Sequence, residues 1–472
     1  MTVPDISGLL RQAVAHHQRG ELAEADVLYA TVLRRDPVNF DALHLSGVVA
    51  RQAKAPGAAL ALIERAIAID PGKAIAHCNL GAVLQDLGRE ADALHSYERA
   101  LALQPDYPMA WCNRGNALRR LDRPSDALDS YGRALSLTPR YPEALYGAAL
   151  ALQALDQVDD ALEAFERTVR LKPDHAEGWC GHAGLLLRLR ELDAALDSYG
   201  QALAARPGYA RAQLGIANTL RALGRTEDAV QAYRLAGEFG ADAETVTYML
   251  AALGAAPAPQ ASPAGYVAAL FDQYAHKFDR HLVDVLQYRT PALLADALAR
   301  HLPTGGAALD ILDLGCGTGL CGPLLRPLAR RLEGVDLSAA MLAQARELEV
   351  YDALHCAELT AFLQPARAQW DVLAAADVLV YVGELDGVFG AARQALRDGG
   401  LFVFSVEALR DDATGFALRA SGRYAHTAAY VVALAGRHGF KVLELAPCTL
   451  RQDSGADIEG LVAVLQRPVL TA

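Results

Sequence analysis

Residues 309–319 read Leu309-Asp-Ile-Leu-Asp-Leu-Gly-Cys-Gly-Thr-Gly319, an apolar run that ends at an acid, Asp313, and continues as Gly315, Gly317 and Gly319. The pattern predicts a strand followed by a tight turn, because glycine tolerates the turn and lets backbone approach a ligand closely. Leu332-Glu-Gly-Val-Asp336 is a second apolar run that ends in an acid. A carboxylate at that point can accept both hydroxyls of a ribose, so the two runs together point to a nucleoside-containing ligand. One ambiguity follows from spacing. Gly317-Thr-Gly-Leu-Cys-Gly322 matches G-x-G-x-x-G, and Asp336 lies 19 residues beyond Gly317, near the separation of about 20 in a NAD fingerprint. Two features weigh against NAD. Asp313 is a charged strand end where a diphosphate would gain nothing, and Gly315 directly follows the strand, which makes Gly315-Cys316-Gly317-Thr318-Gly319 the natural turn.

The same block resembles motif I of class I S-adenosylmethionine-dependent methyltransferases, whose cofactor is a cationic amino acid that suits an acidic strand end. The resemblance covers most of residues 264–472. Asp336-Leu-Ser-Ala-Ala-Met-Leu342 looks like the second motif of the ubiquinone-biosynthesis-like branch. The resemblance implies that Asp336 takes the ribose, that Leu337 packs on the adenine and that Met341 is similarly placed. Tyr351-Asp-Ala-Leu-His-Cys-Ala-Glu358 resembles the third strand and its end, with Glu358 toward the adenine amino group in place of the commoner Asp. Asp377-Val-Leu-Val-Tyr381 resembles the end of the fourth strand, where donor and acceptor meet. Asp313, Gly315, Cys316, Gly317 and Gly319 complete the expected cofactor site, for S-adenosylmethionine and S-adenosylhomocysteine.

Acceptor residues are read from two further segments. Tyr266–Tyr288 contains Phe271, Tyr274 and Phe278 at i, i+3 and i+7, one face of a helix. In related enzymes such a segment folds over the cofactor, which places Tyr274 and Phe278 against it. The competing reading is an amphipathic helix packed on the sheet. Gly422-Arg-Tyr-Ala-His426 lies between the fifth strand and the next helix, a usual substrate-facing region. Tyr381, Tyr424 and His426 are the catalytic candidates, since His titrates near neutral pH and can orient or deprotonate an acceptor. The fourth-strand end lacks N/D-P-P-Y/F, which argues against nucleobase amines as acceptors.

The elements that must position these residues alternate. Apolar runs at Leu309–Leu314, Leu332–Val335, Ala353–Cys356, Val372–Val382, Leu401–Val406, Phe440–Leu445 and Leu461–Leu465 are separated by helical patterns, except between the last two. This predicts a Rossmann-like α/β domain over 264–472, a mostly parallel sheet with an antiparallel C-terminal edge. Residues 264–302 are expected as its N-terminal lid, and the uncharged Gly254–Pro263 stretch, rich in Pro and Ala, as a linker.

The first half is repetitive. Pro37, Pro71, Pro105, Pro139, Pro173 and Pro207 are 34 residues apart, and Ala25, Ala59, Ala93, Ala127, Ala161, Ala195 and Ala229 keep the same period. Four residues after those alanines come Tyr29, Ile63, Tyr97, Tyr131, Phe165, Tyr199 and Tyr233. The pattern resembles the tetratricopeptide repeat and predicts an α-solenoid of seven units over 6–243, with a capping helix, in an array of residues 1–253. Asn79 and Asn113 share one position of the unit, and Asn116 and Asn218 another. Such a ladder on the concave surface could hold an extended peptide, because an amide both donates and accepts. Gly147, Gly181 and Gly215 interrupt it. Cys78, Cys112 and Cys180 also share a position, read as a small residue in register rather than a metal cluster.

Composition sets outer limits. With 44 basic and 56 acidic residues the formal charge is −12, which argues against generic nucleic-acid binding. No apolar stretch is long enough to span a membrane, no signal peptide is read, and the seven cysteines never form C-x-x-C, so a cytoplasmic protein without a metal is expected. The joint pattern resembles bacterial methyltransferases with N-terminal tetratricopeptide repeats. It implies methyl transfer to a protein, peptide or small-molecule acceptor, with the array recruiting substrate or partner. The alternative is a repeat scaffold whose second domain binds the cofactor without catalysis.

Overall fold

A computed structural model describes residues 5–274, 288–302, 308–410, 415–453 and 456–469. It divides into two compact units, residues 1–219 and 220–472.

In the first unit, paired antiparallel helices of 13 and 14 residues succeed one another from Ile6–Gln18 and Leu22–Arg35 onward. The 34-residue period is legible in the packing. Ala25, Ala59, Ala93, Ala127, Ala161 and Ala195 are all fully buried, and Tyr29, Tyr97, Tyr131 and Phe165 are fully buried beside them. An alanine allows two helices to approach, and the aromatic ring fills the space between units. Glycine completes the fit. A Cβ at Gly115 would lie 2.7 Å from the Tyr131 ring, and one at Gly147, in the next unit, would lie 2.4 Å from the same ring. Tyr131 is thus clamped between two backbones, and Gly181 and Gly215 play the part of Gly147 against Phe165 and Tyr199.

This packing corrects the asparagine ladder. The position of Asn79, Asn113, Gly147, Gly181 and Gly215 lies on the seam between units. Asn79 Nδ2 is 2.8 Å from His44 Nε2 and Asn113 Nδ2 donates to Cys78 Sγ at 3.8 Å, each reaching the preceding unit. Asn116 Oδ1 accepts from the Tyr131 hydroxyl at 2.7 Å, within its own unit, and Asn218 is half-buried. Asn79, Asn113 and Asn116 spend these amide bonds on holding the array together. Cys78, Cys112 and Cys180 are buried. Burial pushes the Cys112 thiol up to about 11, so it is a small apolar filler rather than a nucleophile.

The second unit begins inside the seventh repeat. It takes in helices Thr226–Glu238 and Ala243–Ala252 together with the sheet domain, whereas periodicity alone groups both helices with the array. Its sheet has nine strands among the described residues: β1 (Leu309–Leu314), β2 (Ala329–Asp336), β3 (Ala353–Cys356), β4 (Trp370–Ala375), β5 (Leu396–Ala408), β6 (Phe416–Leu418), β7 (Tyr424–His426), β8 (Lys441–Asp453) and β9 (Ala456–Gln466). β3, β2, β1, β4 and β5 are parallel neighbours in that order, β9 pairs antiparallel with β5, and β8 pairs antiparallel with β9. The short β6–β7 hairpin, which the apolar runs do not reveal, joins the end of β5 through Glu407–Ala425 and Ala408–His426.

Two expectations change. The run Val372–Val382 is not one strand. β4 stops at Ala375, and residues 376–382 form a loop with a single 3-10 turn, Leu379–Tyr381. Leu379 and Val380 are apolar because they are buried, not because they pair. Within the expected lid, helix Thr290–His301 packs on the sheet instead, with Leu294, Ala297 and Leu298 against Ile311, Leu332 and Val403. The Gly254–Pro263 stretch is no free linker either. Ser262 N donates to Tyr381 O at 2.8 Å, and Gly383 N and Glu384 N donate to Gln260 O at 2.8 and 2.9 Å. It is a strap stitched to the loop after β4.

Gly147→Ala should therefore destabilise the array by about 1–3 kcal/mol, the cost of forcing a methyl group into a filled core. Urea unfolding followed by helical circular dichroism checks this, and an unchanged midpoint would refute the clamp.

Candidate functional site

The site is built where β1, β2 and β4 end. Gly315, Gly317 and Gly319 have φ of 65°, 54° and 94°, the left-handed region that side chains disfavour. Gly315 is doubly constrained, because a Cβ there would lie 2.3 Å from Val378 Cγ2 in the loop after β4. Gly315 N and Cys316 N donate to Val335 O at 2.8 and 3.1 Å, and Gly317 N donates to Asp336 Oδ2 at 2.9 Å. The turn after β1 is thereby tied to the end of β2. Asp336 Oδ1 accepts from Ser338 N at 2.8 Å, and Ser338 caps helix Ala339–Glu347 through Met341 N. Burial raises the pKa of Asp336, with three backbone amides opposing.

Above this turn lies a cavity of about 240 Å³. Gly315, Cys316, Gly317, Asp336, Leu337 and Glu358 line one part of it. Asp377, Val378, Tyr381 and Arg423 line another, and Ala261, Ser262 and Phe271 close it. Glu358 has both carboxylate oxygens occupied at the N-terminus of helix Leu359–Leu363, accepting from Thr360 N at 2.9 Å and Ala361 N at 2.7 Å. Phe271 meets Tyr381 edge to face, ring centroids 5.5 Å apart. Of the expected covering face, Phe271 reaches the cavity. Phe278 and the side chain of Tyr274 lie outside the described residues.

Three expected cofactor contacts stand behind the turn instead. Asp313 is 1% exposed and accepts from the Tyr351 hydroxyl at 2.7 Å. Burial pushes it up to about 7, which the Tyr351 bond opposes and Asp336 reinforces. Gly319 faces Leu348 and Tyr351, and Met341 is fully buried in the core. Each shapes the turn rather than the cavity wall.

The catalytic candidates divide. Tyr381 lines the cavity. Tyr424 and His426 do not. They lie on β7, both fully buried, packed beside Phe416. The Tyr424 hydroxyl donates to Pro259 O at 2.7 Å, and His426 Nε2 is 3.0 Å from Gly383 O. They hold the strap and the loop after β4 in place. Burial pushes His426 down to about 4, so it is neutral at physiological pH and shut away from any acceptor.

Sequence reasoning missed a charge cluster beside the cavity. Arg451 Nη1 donates to both Asp377 oxygens at 2.8 Å, and its Nη2 donates to Glu407. Arg419 Nη1 donates to Glu407 at 2.9 Å. Arg423 lies 4.0 Å from Asp377 and 3.7 Å from Glu407, its guanidinium carbon 5.9 Å from the Tyr381 ring centroid. Arg451 and Glu407 are each 2% exposed. Burial pushes Asp377 up to about 6, with Arg423 opposing. Arg423 is the neighbour of Tyr424 in the very segment chosen for its aromatic and imidazole groups. Among the described residues no cluster of three or more His, Cys, Asp or Glu could hold a metal, and no helix is long and apolar enough to cross a membrane.

Residues 312–402 match the family model described as Methyltransferase domain. Tetratricopeptide-repeat models match residues 10–74, 112–176, 146–207 and 180–243, and residues 72–140. Over 85 residues, 18% of this chain and 34% of the relative, the sequence is 40% identical to human "Methyltransferase-like protein 27". Over 139 residues, 29% of this chain and 52% of the relative, it is 32% identical to "Malonyl-[acyl-carrier protein] O-methyltransferase" of Enterobacter lignolyticus. Over 211 residues, 43% of this chain and 87% of the relative, it is 25% identical to "Ubiquinone biosynthesis O-methyltransferase" of Stutzerimonas stutzeri. The chain spans from a third to about half the length of the first two of these relatives. It joins tetratricopeptide repeats to a methyltransferase domain.

The burial of His426 has a pH consequence. Its folded pKa of about 4 lies below its ordinary 6.5, so the unfolded chain binds the extra proton. The stability it contributes is present above 6.5 and is lost as pH falls toward 4. His426→Gln should reduce the acid sensitivity of the domain by up to about 3 kcal/mol between pH 7 and pH 4. Urea midpoints of the two proteins at both pH values measure it, and equal losses would return His426 to a solvated, titrating role.

Proposed function

We propose that residues 220–472 transfer a methyl group from S-adenosylmethionine to an oxygen acceptor, and that the repeats bind a protein or peptide that is the acceptor or brings it. The observation that carries the reading is one cavity walled on one side by the glycine turn and Asp336 and on the other by the loop after β4. The residues suit the cofactor. Gly315 and Gly317 present backbone to the cavity without side chains. Asp336 accepts from Gly317 N and Ser338 N, one on each oxygen, and a carboxylate with about four lone-pair sites keeps acceptor capacity for a ribose. Leu337 offers an apolar face to an adenine.

When bound, S-adenosylmethionine supplies a methyl carbon on a sulfonium, which an oxygen nucleophile displaces. The chain's own part is alignment and exclusion of water. Phe271 and Tyr381 pack edge to face over the cavity and keep that side dry. The strap through Ser262 and Tyr381 fixes the loop on which an acceptor must rest, so donor and acceptor are held in one geometry. Two of the relatives carry O-methyltransferase in their names, which supports oxygen as the acceptor atom.

Calorimetry with S-adenosylhomocysteine and with NAD tests this reading. Binding of the first and none of the second is expected, and Asp336→Ala should weaken binding by about 1.5–3 kcal/mol, the scale of hydrogen bonds to a charged group. Preferential NAD binding would overturn it.

A further inference from the structure

We infer that the group methylated is a carboxylate, and that Arg423 is the residue that receives it. The inference rests on the methyltransferase reading and deepens it.

Arg423 is the one arginine that lines the cavity among the described residues. Its neighbours are Asp377 and Tyr381, both on the loop after β4, whereas the proposed ribose acceptor Asp336 ends β2. It therefore belongs to the side where an acceptor must sit.

The charges around it do not balance. Arg419, Arg423 and Arg451 surround two carboxylates, Asp377 and Glu407. Both carboxylates have a closer partner than Arg423. Arg451 takes Asp377 at 2.8 Å and Arg419 takes Glu407 at 2.9 Å, while Arg423 stands off at 4.0 and 3.7 Å. By formal count three guanidinium charges meet two carboxylates, an excess of one, and Arg423, which holds those carboxylates least closely, is the one that faces the cavity. With its nearest carboxylates at 3.7 and 4.0 Å, the guanidinium keeps donor capacity for a ligand anion. A guanidinium matches a carboxylate in particular, because its planar fork donates two parallel hydrogen bonds.

The described lining residues point the same way. Among the described lining residues there is no histidine. Asp336 is assigned to the ribose, both Glu358 oxygens cap helix Leu359–Leu363, and both Asp377 oxygens accept from Arg451. A phenol or alcohol would need one of them to take its proton. A carboxylate is already ionised at neutral pH. The carboxylate oxygen attacks the methyl carbon. A C–O bond forms as the C–S bond breaks, and the electron pair stays on sulfur. An anion and a sulfonium become a neutral methyl ester and a neutral thioether, and no proton is released.

The test uses the full chain saturated with S-adenosylhomocysteine and titrated by calorimetry with acetate and with acetamide, which match in shape and differ in charge. Acetate should bind about tenfold tighter, the step that one charge-assisted hydrogen bond provides. R423Q should abolish the preference and leave S-adenosylhomocysteine affinity within about twofold, and R423K, which keeps the charge, should retain part of it. Equal binding of the two probes, or a preference that survives in R423Q, overturns the inference. So does a tenfold loss of S-adenosylhomocysteine affinity in R423Q, which would assign Arg423 to the cofactor's own carboxylate. A second arm supplies methyl-labelled S-adenosylmethionine and a cell extract. Label released by mild base as methanol marks an ester, and its division between acid-precipitable and soluble fractions separates a carboxylate on a macromolecule from a free acid. Label that resists base sinks the carboxylate and leaves methyl transfer standing. A protein that binds no S-adenosylhomocysteine at all fails at the earlier reading instead.

Discussion

The cavity exists because the turn after β1 and the loop after β4 abut. The two strands are parallel neighbours, paired from Ile311–Val372 to Asp313–Ala374, so the chain leaves both at the same level of the sheet. At that level Val378 occupies the place where a Cβ of Gly315 would be. Only a residue without a side chain lets the two segments close to this distance, and φ of 65° at Gly315 demands the same residue. The abutment sets the floor of the cavity. It also forces the loop after β4 to leave the sheet at once, with Asp377 itself at φ of 56°.

A loop without regular pairing has to be held by other means, and each neighbouring segment contributes. The strap bonds its backbone at Tyr381, Gly383 and Glu384. His426 takes Gly383 O from β7, and Ser405 Oγ accepts from Asp377 N on the β5 side. Arg451 reaches Asp377 from β8. The buried charge cluster makes sense in this setting. Arg451, Asp377 and Glu407 are largely out of water, and such charges stabilise a fold poorly, but a bidentate arginine fixes a carboxylate in direction as well as distance. The cluster positions Asp377 and leaves Arg423 turned toward the cavity.

The period of 34 was legible because a solenoid repeats one interface, so the Ala appears seven times and the position four residues on is aromatic in six of the seven units. The strands and the glycine turn were legible because they obey local rules of burial and conformation. What failed was direction. Asp313 ends a strand beside the turn, yet its side chain points behind it to Tyr351. Tyr424 and His426 were right in segment and wrong in facing, since β7 carries both into the core, while the residue just before it faces the cavity. Asn79 and Asn113 were right in period and wrong in surface, because their position forms a seam on which the next units need glycine. Arg451 is 74 residues from Asp377 in sequence, and nothing local in an arginine on an edge hairpin announces a partner in a loop that far away.

The helix Ala243–Ala252 does more than follow the repeats. Periodicity presents it as the cap of the repeats, and a capping helix needs only to cover an apolar end. Tyr248 gives it a second duty. The side chain is 1% exposed, and its hydroxyl lies 2.7 Å from Ser262 Oγ and donates to Gly422 O at 2.8 Å. Its ring also packs on Tyr266, centroids 5.1 Å apart. Ser262 lines the cavity, and Gly422 precedes Arg423, which lines it too. One buried hydroxyl thus joins the strap to the segment that carries Arg423. Arg221 adds a bond to the same hairpin, its Nη1 donating to Ala420 O at 2.8 Å. Bonds of this kind are costly to leave unmade once buried, so the helix cannot shift without moving two cavity walls together. The Pro- and Ala-rich stretch that follows it reads as a spacer from its composition. Its hydrogen bonds make it part of the site.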